Sequence, residues 1–547
     1  MTTVANTIAL LESDEYPLPE DAYEVLLIGA GVSGINTLYE LSQRGFSRMH
    51  VLERGSGIGG TWYWNRYPGA RFDAESYTYQ FFFDPELVRE WRWQEHFGGQ
   101  PEIERYLNHV VDRSGLRDYF EFDVDVASAA WDESTRLWTV RSHAGGEYRS
   151  RIVITGVGIL SQPSFPRIEG GRDAFTGVQA HTGLWPQGGV DIAGKRVAVI
   201  GTGSSGVQII PMIAGEVESM VVFQRTPNWA TPLQNSEITD EEYAEILDGI
   251  DELHELCGHG FGFIHQFPSF SAADHTKEER RAHFEKLYAA RGFAKLMTNY
   301  PEVFGDMELN KEFTDFIADK IRERVNDPEI AEKLIPTDHH YGGKRPPFEK
   351  DYFEVYNQDN VQLVDLREEP LEEVTAAGLR TSKQEYPFDV IIWATGFDAI
   401  TGTLDRIDIR GTEQTLKEAW TESPWTHVGS ATPGFPNFLM VGGAHTLGGN
   451  IPRILEFQSA FIADLVAQMR DERQTRLETD AESADAWTAH AISTGEGPLQ
   501  AKHTDYNYGA NVEGKKNVFR AYMGGVDGVR GKLEQLRAED FGGYHRS

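Results

Sequence analysis

The 547-residue sequence contains a single cysteine, Cys257, and only 51 basic residues against 85 acidic ones. One cysteine excludes an internal disulfide, a cysteine zinc site and a redox-active cysteine pair. The formal net charge of −34 disfavours nucleic acid or an anionic membrane surface as a partner, because both would be repelled. No apolar stretch approaches the ~20 residues that span a bilayer, and the amino terminus lacks the pattern of a signal peptide. We therefore expect a cytoplasmic protein with a reduced thiol.

The first glycine-rich motif follows an apolar strand in YEVLLIGAGVSGINTLYEL. Gly29, Gly31 and Gly34 stand between that strand and a helical pattern, an arrangement that lets a pyrophosphate approach the start of a helix. The next strand ends at Glu53, close to the ~20-residue spacing expected for an acid that binds a ribose. This unit is predicted to bind FAD.

The second glycine-rich motif, in KRVAVIGTGSSGVQIIPMI, repeats the design without the acid. Gly201, Gly203 and Gly206 open the helix, and Arg225 and Thr226 follow the next strand. A basic residue at this place suits a 2′-phosphate, so NADPH is favoured over NADH. Two motifs with different ribose partners predict two different dinucleotides.

The order of strands and helices predicts an α/β fold with two Rossmann-like dinucleotide-binding domains. We assign residues 1–160 to the first part of the FAD domain, 161–388 to the NADPH domain and 389–547 to the second part of the FAD domain, which is therefore discontinuous. The last boundary depends on the apolar strand DVIIWATGFDA, interpreted as the return to the first domain. Residues from about 236 to 335 have the pattern of a helical insert that covers a substrate cavity; a solvated helical decoration is the alternative.

Two further segments carry candidate site residues. The stretch GGTWYWNRYPGARFDAESYTYQF is dense in aromatic rings, which suit a flavin or a nicotinamide, although a buried aromatic core is the other interpretation. Lys344 and Arg345 follow two glycines in a strongly acidic chain. This basic pair is a candidate anion site, with a surface salt bridge as the alternative.

With these motifs the chain resembles the FAD- and NADPH-dependent Baeyer-Villiger monooxygenases, the family that acts on cyclohexanone, phenylacetone and other cyclic ketones. The segment FTGVQAHTGLWPQ fits the family signature at Phe175, Gly177, His181, Trp185 and Pro186. GGTWYWNRYPG, FQRTPNW, GGKRP and ATGFDA extend the resemblance over nearly the whole chain. Since the signature lies in the linker between the two domains, His181 is expected to act in a hinge rather than as a base.

The resemblance implies an NADPH-dependent flavin monooxygenase. NADPH reduces FAD, a C4a-peroxyflavin forms with O2, and its attack on a ketone carbonyl gives an ester or lactone. The alternative is a flavin monooxygenase that oxygenates the sulfur or nitrogen of small soft nucleophiles, a reaction that needs no arginine. A third hypothesis is a non-catalytic sensor that retains both dinucleotide motifs. The Lys344–Arg345 pair and the Trp185–Pro186 ending favour the ketone reaction.

The same resemblance implies roles for individual residues. Arg345 would be the catalytic cation that stabilises the anionic peroxide, and Asp73 the acid that pairs with it. Lys344 and Arg225, with Thr226, would hold the 2′-phosphate of NADPH. No metal site is predicted.

The residues assigned to cofactor binding come from both glycine motifs, the aromatic stretch, the basic loop and the carboxyl-terminal region. They are Gly29, Gly31, Gly34, Glu53, Thr61, Trp62, Arg71, Asp73, Tyr79, Gly201, Thr202, Gly203, Ser204, Ser205, Gly206, Gln208, Arg225, Thr226, Lys344, Arg345, Asn450 and Tyr506. Three places depart from the family pattern: Phe72 replaces a cysteine or leucine, Tyr506 replaces a tryptophan that many relatives have, and TLGGNIP around Asn450 and Ile451 matches the family's flavin-side loop only loosely. A tyrosine can still stack or hydrogen-bond there.

Overall fold

The computed structural model describes residues 10–446, 448–496 and 506–547. Residues 1–9, part of the amino terminus on which the predicted location depends, lie outside these ranges. Within the described ranges, no helix is both long and apolar enough to cross a bilayer. The chain forms two units, each built around a sheet, and in each sheet one strand leads into one of the glycine motifs.

The first unit begins with six strands and five helices. The strands are β1 (Ala22–Ile28), β2 (Met49–Leu52), β3 (Phe120–Glu121), β4 (Val126–Asp132), β5 (Leu137–Ser142) and β6 (Glu147–Thr155). The helices are α1 (Val32–Gln43), α2 (Thr61–Trp64), α3 (Ser76–Tyr79), α4 (Pro85–Glu90) and α5 (Gln100–Arg113). β1 lies between β6 and β2, parallel to both, so the first glycine motif leaves the middle of the sheet.

The second unit has a parallel sheet and two smaller sheets. Its strands are β7 (Val178–His181), β8 (Arg196–Ile200), β9 (Ser219–Gln224), β10 (Thr231–Pro232), β11 (Phe348–Glu349), β12 (Val361–Asp365), β13 (Leu371–Val374), β14 (Gly378–Thr381), β15 (Glu385–Pro387) and β16 (Val390–Trp393). The parallel order is β12-β9-β8-β16-β7, and α6 (Ser204–Ile213) follows β8 after the second glycine motif.

The predicted domain boundary at residue 389 is wrong. It depends on the strand in DVIIWATGFDA, which is β16 and does not return to the first unit. β16 pairs with β8 on one side and with β7 on the other, so it belongs to the second sheet. All four of its residues are buried, as in a central strand of a parallel sheet. Because two sheets of this kind were expected, the apolar pattern of the strand could not indicate which one it joins.

The insert contributes six helices that pack against both units. They are α7 (Asp240–Asp248), α8 (Ile250–Cys257), α9 (Lys277–Ala289), α10 (Ala294–Met297), α11 (Met307–Arg324) and α12 (Pro328–Leu334). Capping boxes at Thr239 and Thr276 start α7 and α9, as the sequence predicts. Phe313 and Ile317 of α11 belong to the core of the second unit, whereas Ile238, just before α7, belongs to that of the first. The insert is therefore packed and is not a solvated decoration.

The chain then returns to the first unit, which confirms its discontinuity. The strands are β17 (Asp408–Arg410), β18 (Phe438–Met440), β19 (Leu477–Thr479) and β20 (Tyr544–Arg546), and the helices are α13 (Leu416–Ala419), α14 (Ile451–Asp471), α15 (Ala481–Thr494) and α16 (Gly525–Ala538). β17 pairs with β4 and β18 with β6, both in the first sheet. The long helix α14 packs on α1 and α16 beside this sheet.

Candidate active site

A cavity of about 1160 Å³ extends from one glycine motif to the other. Residues from both units, from the insert and from the carboxyl-terminal region line it. The predicted residues among them are Gly29, Gly31, Glu53, Thr61, Trp62, Arg71, Asp73, Tyr79, Thr202, Gly203, Ser204, Ser205, Gln208, Arg225, Thr226, Lys344, Arg345, Asn450 and Tyr506.

Three predicted glycines lie outside this lining: Gly34, Gly201 and Gly206. A Cβ on Gly34 would come within 1.9 Å of the carbonyl oxygen of Gly29, and one on Gly206 within 2.2 Å of that of Gly201. These glycines let α1 and α6 pack closely on the turns before them. They shape the two turns and do not face the cavity.

The first glycine turn fits a dinucleotide with a free ribose. Glu53 stands at the end of β2, where its Oε2 accepts a 2.8 Å hydrogen bond from the amide of Ala30 and its Oε1 a 2.6 Å bond from that of Gly55. Burial raises the pKa of Glu53, and the two amide bonds oppose that shift. A Cβ on Gly31 would lie 3.3 Å from Cα of Gly60, a tight contact, so this turn leaves little room for a side chain where it borders the cavity.

The second glycine turn fits a dinucleotide with a phosphorylated ribose. A Cβ on Gly203 would meet no atom within 4 Å, so this turn faces open cavity space. Thr202 Oγ1 donates a 3.2 Å hydrogen bond to the carbonyl oxygen of Thr226, which ties the turn to the end of β9. Arg225 is exposed beside it, and Lys344, 3.5 Å from Asp338, lines the same cavity.

Arg345 and Asp73 meet across the cavity. Nη2 of Arg345 donates a 2.8 Å hydrogen bond to Oδ2 of Asp73, while Nη1 lies 3.4 Å from the hydroxyl of Ser204. The ring of Phe293 lies under the guanidinium, with 5.6 Å between Cζ and the ring centroid. Burial raises the pKa of Asp73, and the nearby charge of Arg345 opposes that shift. Burial alone would lower the pKa of Arg345, but the attraction of Asp73 is larger and the net shift is upward. The guanidinium is therefore a permanent positive charge at the cavity wall.

The aromatic stretch is part of a buried core and also lines the cavity. The interpretation as a core and the interpretation as a cofactor wall are therefore compatible. Trp62 Nε1 donates a 3.0 Å hydrogen bond to the hydroxyl of Tyr79, and Phe72 stacks on Tyr79 with 4.7 Å between ring centroids. All three rings line the cavity. The amide of Gln208 donates a 3.1 Å bond to the carbonyl oxygen of Arg71, which links α6 to this stretch.

The signature segment lies outside the cavity lining. His181 ends β7, is buried, and its Nδ1 accepts a 2.9 Å hydrogen bond from the amide of Gly183. Burial lowers the pKa of His181 to about 4, so the ring is neutral near pH 7. The amide of Trp185 donates a 3.1 Å bond to the carbonyl oxygen of Trp64 in α2, which connects the linker to the first unit.

A tight contact explains the glycine of the signature. A Cβ on Gly177 would come within 2.4 Å of the ring of Phe175, which is itself buried in the second unit. These placements give the signature a structural position at the join of the two units. Its hinge role stays a prediction.

Sequence reasoning predicted that the insert covers a cavity but named none of the insert residues that line it. The apolar residues of this wall are Phe261, Phe263, Phe267, Phe293, Leu296, Met297, Pro301 and Phe304. One signal was present: Phe261 and Phe263 alternate with glycines in HGFGF, within a charged helical region. Tyr67 was also missed; its hydroxyl donates a 2.7 Å bond to Oε1 of Gln208.

Two glycine turns on one cavity, with a carboxylate beside one and an arginine beside the other, define a flavoprotein that uses two dinucleotides. Residues 26–246 match the family model for pyridine nucleotide-disulphide oxidoreductases. Disulphide chemistry needs a cysteine pair, which this sequence lacks. The class is therefore a flavoprotein that passes its electrons to another acceptor.

Full-length relatives define the family. The chain is 38% identical over 536 residues to 2-oxo-Delta(3)-4,5,5-trimethylcyclopentenylacetyl-CoA monooxygenase from Pseudomonas putida, covering 96% of this chain and 98% of the relative. It is 37% identical to acetone monooxygenase (methyl acetate-forming) from Gordonia sp. (strain TY-5), with 95% and 98% covered. Identity to cyclopentanone 1,2-monooxygenase from Comamonas sp. (strain NCIMB 9872) is 37%, with 96% of both chains covered.

Solved structures agree. The crystal structure of OTEMO complexed with FAD and NADP superposes with a TM-score of 0.92 at 38% identity, covering 97% of this chain and 100% of that one. The closed crystal structure of cyclohexanone monooxygenase gives a TM-score of 0.92 at 36% identity, with 96% and 99% covered. The chain belongs to the family of FAD- and NADPH-dependent Baeyer-Villiger monooxygenases. The predicted fold class, cofactor pair and reaction are thereby confirmed.

Proposed function

We propose that this monooxygenase converts an apolar cyclic ketone into a lactone, with Arg345 as the catalytic cation and Asp73 as its positioning partner. The observation that carries the proposal is the 2.8 Å ion pair between these residues at the wall of a cavity that both glycine turns share. In the same proposal the first unit is the FAD domain and the second unit the NADPH domain. A cytoplasmic location is also proposed, supported by the free, buried thiol of Cys257.

When bound, FAD reduced by NADPH would activate O2, of which one atom is inserted beside the carbonyl and the other leaves as water. The protein's own contribution is electrostatic and geometric. The guanidinium of Arg345 holds a fixed positive charge at the place where negative charge develops, and a preorganised charge of this kind stabilises an anionic transition state. Asp73 holds Nη2, and its burial keeps that bond out of competition with water.

The substrate class is supported by the wall that the insert contributes. Every residue of this wall is apolar, so it favours a ring of aliphatic carbons over a charged or strongly polar substrate. Two of the similar proteins are named for cyclopentanone and for a trimethylcyclopentenylacetyl-CoA that carries a 2-oxo group, and a third is named for acetone. A small cyclic ketone fits the wall, and cyclopentanone is the named compound of that kind.

The test separates reduction of the flavin from oxygenation of the ketone. With cyclopentanone, cyclohexanone and acetone as substrates, we expect the FAD-loaded protein to give a lactone or ester and to oxidise NADPH faster when the ketone is present. Arg345→Ala should still bleach the flavin with NADPH but form no ester, and Arg345→Lys should recover part of the product. Arg410→Ala, at a 62% exposed arginine on β17, is the matched control and should behave like the wild type. Ester formation by Arg345→Ala at near the wild-type rate would contradict the assigned role.

The same assay tests the alternative reaction. A thioether such as thioanisole should give less product than the best ketone, and its oxygenation should fall less on Arg345→Ala than lactone formation does. A protein stimulated only by thioethers or amines would contradict the ketone proposal.

A further inference from the structure

The loop of residues 259–263 connects α8 to the rest of the insert and reaches the cavity. Phe261 and Phe263 of this loop line the wall that faces the proposed substrate. Both residues are far in sequence from Arg345 and from the two glycine motifs. The position of their rings therefore depends on what holds the loop.

The carboxylate of Asp527 holds one end of the loop. Its Oδ2 accepts a 2.6 Å hydrogen bond from the amide of Gly260, and its Oδ1 lies 2.9 Å from Nδ1 of His259. The amide of Val526 donates a 2.7 Å hydrogen bond to the carbonyl oxygen of Gly260. The start of α16 therefore bonds both the amide and the carbonyl group of Gly260. Both contacts of Asp527 are solvent-exposed, so each contributes modestly, and the short amide bond is the one that fixes the backbone of the loop.

The start of α14 holds the other end. The amide of Asn450 donates a 2.7 Å hydrogen bond to the carbonyl oxygen of Phe261, and its side-chain amide donates a 3.0 Å bond to that of Gly262. Gly449 permits this approach, because it has a φ of +130° and a Cβ there would lie 2.3 Å from the carbonyl oxygen of Phe261. The loop is thus seated between two helix starts of the first unit.

The loop also contacts Arg345 through two rings. Phe263 stacks on Phe293 with 4.3 Å between ring centroids and 23° between the planes. Phe293 also packs edge-on against Phe348, with 5.2 Å between ring centroids, and its ring lies 5.6 Å from Cζ of Arg345. A displacement of the loop would therefore change both the shape of the apolar wall and the surface on which the guanidinium rests.

We propose that Asp527 is a positioning residue: by holding residues 259–263 on the starts of α14 and α16, it fixes the aromatic wall of the cavity and, through Phe263 and Phe293, the guanidinium of Arg345. The inference depends on the proposed function of Arg345. It assigns to the start of α16 an effect on ketone binding and oxygenation, but none on the reduction of the flavin by NADPH.

The test uses the full-length, FAD-loaded protein and the variants Asp527→Ala and Asp527→Asn. Asp527→Ala should raise hydrogen-deuterium exchange in peptides that cover residues 259–263, with Asp527→Asn between it and the wild type. The KM for the best ketone should rise roughly fivefold to tenfold in Asp527→Ala, as expected for the loss of one solvent-exposed hydrogen bond. Less ester should also form per NADPH consumed. Glu534→Gln, a 62% exposed carboxylate on the same helix, is the matched control and should change none of these values.

Unchanged exchange in residues 259–263 together with an unchanged KM in Asp527→Ala would overturn the inference. An equal loss in the rate of flavin reduction would also overturn it, because it would show general damage to the fold. Should Asp527→Ala fail to fold, Asp527→Asn decides by the same two criteria. The exchange measurement does not depend on the role assigned to Arg345. Ester formation by Arg345→Ala would therefore disprove the proposed function, whereas the exchange result for residues 259–263 would still test the role of Asp527.

Discussion

Nη2 of Arg345 lies 2.8 Å from Oδ2 of Asp73, and this ion pair joins the two units across the cavity. Asp73 comes from the first unit, between α2 and α3, and Arg345 from the second, just before β11. The side chain of Asp73 is 5% exposed and that of Arg345 is 38% exposed, so the arginine is the more open member of the pair. The position of the charge therefore depends on how the two units are held together.

Replacement of Asp73 should separate positioning from charge. Asp73→Ala leaves the guanidinium charged but free to turn away, and a misplacement of about 1 Å at a reacting group costs about 10²-fold. We expect ester formation to fall by about that factor while reduction of the flavin by NADPH changes little. Stopped-flow absorbance and product analysis measure the two steps. Asp73→Asn, which keeps the acceptor oxygen, should lose less than Asp73→Ala; equal product yields in wild type and Asp73→Ala would refute the positioning role.

Arg225 should discriminate between the two nicotinamide cofactors. Its exposed guanidinium lines the cavity beside the second glycine turn, where a 2′-phosphate would lie. We expect Arg225→Ala to raise the KM for NADPH about tenfold, the effect of losing about 1.4 kcal/mol of binding, and to leave the KM for NADH nearly unchanged. Steady-state oxidation of each cofactor measures both values. An equal loss for both cofactors would show that Arg225 does not contact a phosphate.

His181 should affect stability in acid and not the pH dependence of catalysis. Burial lowers its pKa to about 4 in the folded protein, whereas an unfolded chain has a value of about 6.5. The contribution of the neutral ring to stability is therefore complete above about pH 6.5 and is lost as the pH falls towards 4. We expect the melting temperature of the wild type to fall more steeply than that of His181→Asn across this window. Between pH 6 and 9, the pH–rate profiles of the wild type and His181→Asn should have the same shape. If one arm of the profile were absent in the variant, His181 would be a group that transfers a proton in catalysis.

Lys295 should impose a different pH dependence on stability. Its side chain is 1% exposed, and burial lowers its pKa to about 7 from 10.5, although Glu349 and Glu75 oppose that shift. Below about pH 7 the lysine is charged in both states and its burial cost is complete. Between pH 7 and 10.5 only the unfolded chain retains the proton, so the cost fades as the pH rises.

The measurement for Lys295 is the melting temperature, followed by flavin fluorescence. From pH 7 to 10 the wild type should become more stable relative to Lys295→Met. Lys286→Met, on a lysine of α9 in the same insert, provides the control and should show a constant difference. A constant difference for Lys295→Met as well would show that this lysine keeps an ordinary pKa.

Local patterns were sufficient for the two turns and for the starts of the insert helices. Gly29 and Gly31 followed a strand and preceded a helix, and the structure places both at the cavity. The box formed by Thr239 and Glu242 predicted where α7 begins, because its hydrogen bonds join residues three positions apart. Information of this kind is contained in short segments, and the fold does not alter it.

The sheet that receives β16 could not be predicted in the same way. Its four buried residues would suit the centre of either sheet, and only the pairing with β7 and β8 decides between them. Gly34 and Gly206 likewise look like cavity residues in the sequence, but the close packing of α1 and α6 places them behind the turns.

By itself the sequence determined the dinucleotide chemistry and the residue types of the site: two glycine turns, an acid beside one and a base beside the other, and the basic pair that contains Arg345. The resemblance implied that Asp73 pairs with Arg345, but only the tertiary structure brought the two side chains into contact across 272 positions of the chain and placed Phe261, Phe263 and Phe293 of the insert in the wall of the same cavity. The physical reason is one of range. Turns and helix caps result from contacts between near neighbours, whereas the ion pair and the apolar wall exist only after two units and an insert have packed around one cavity.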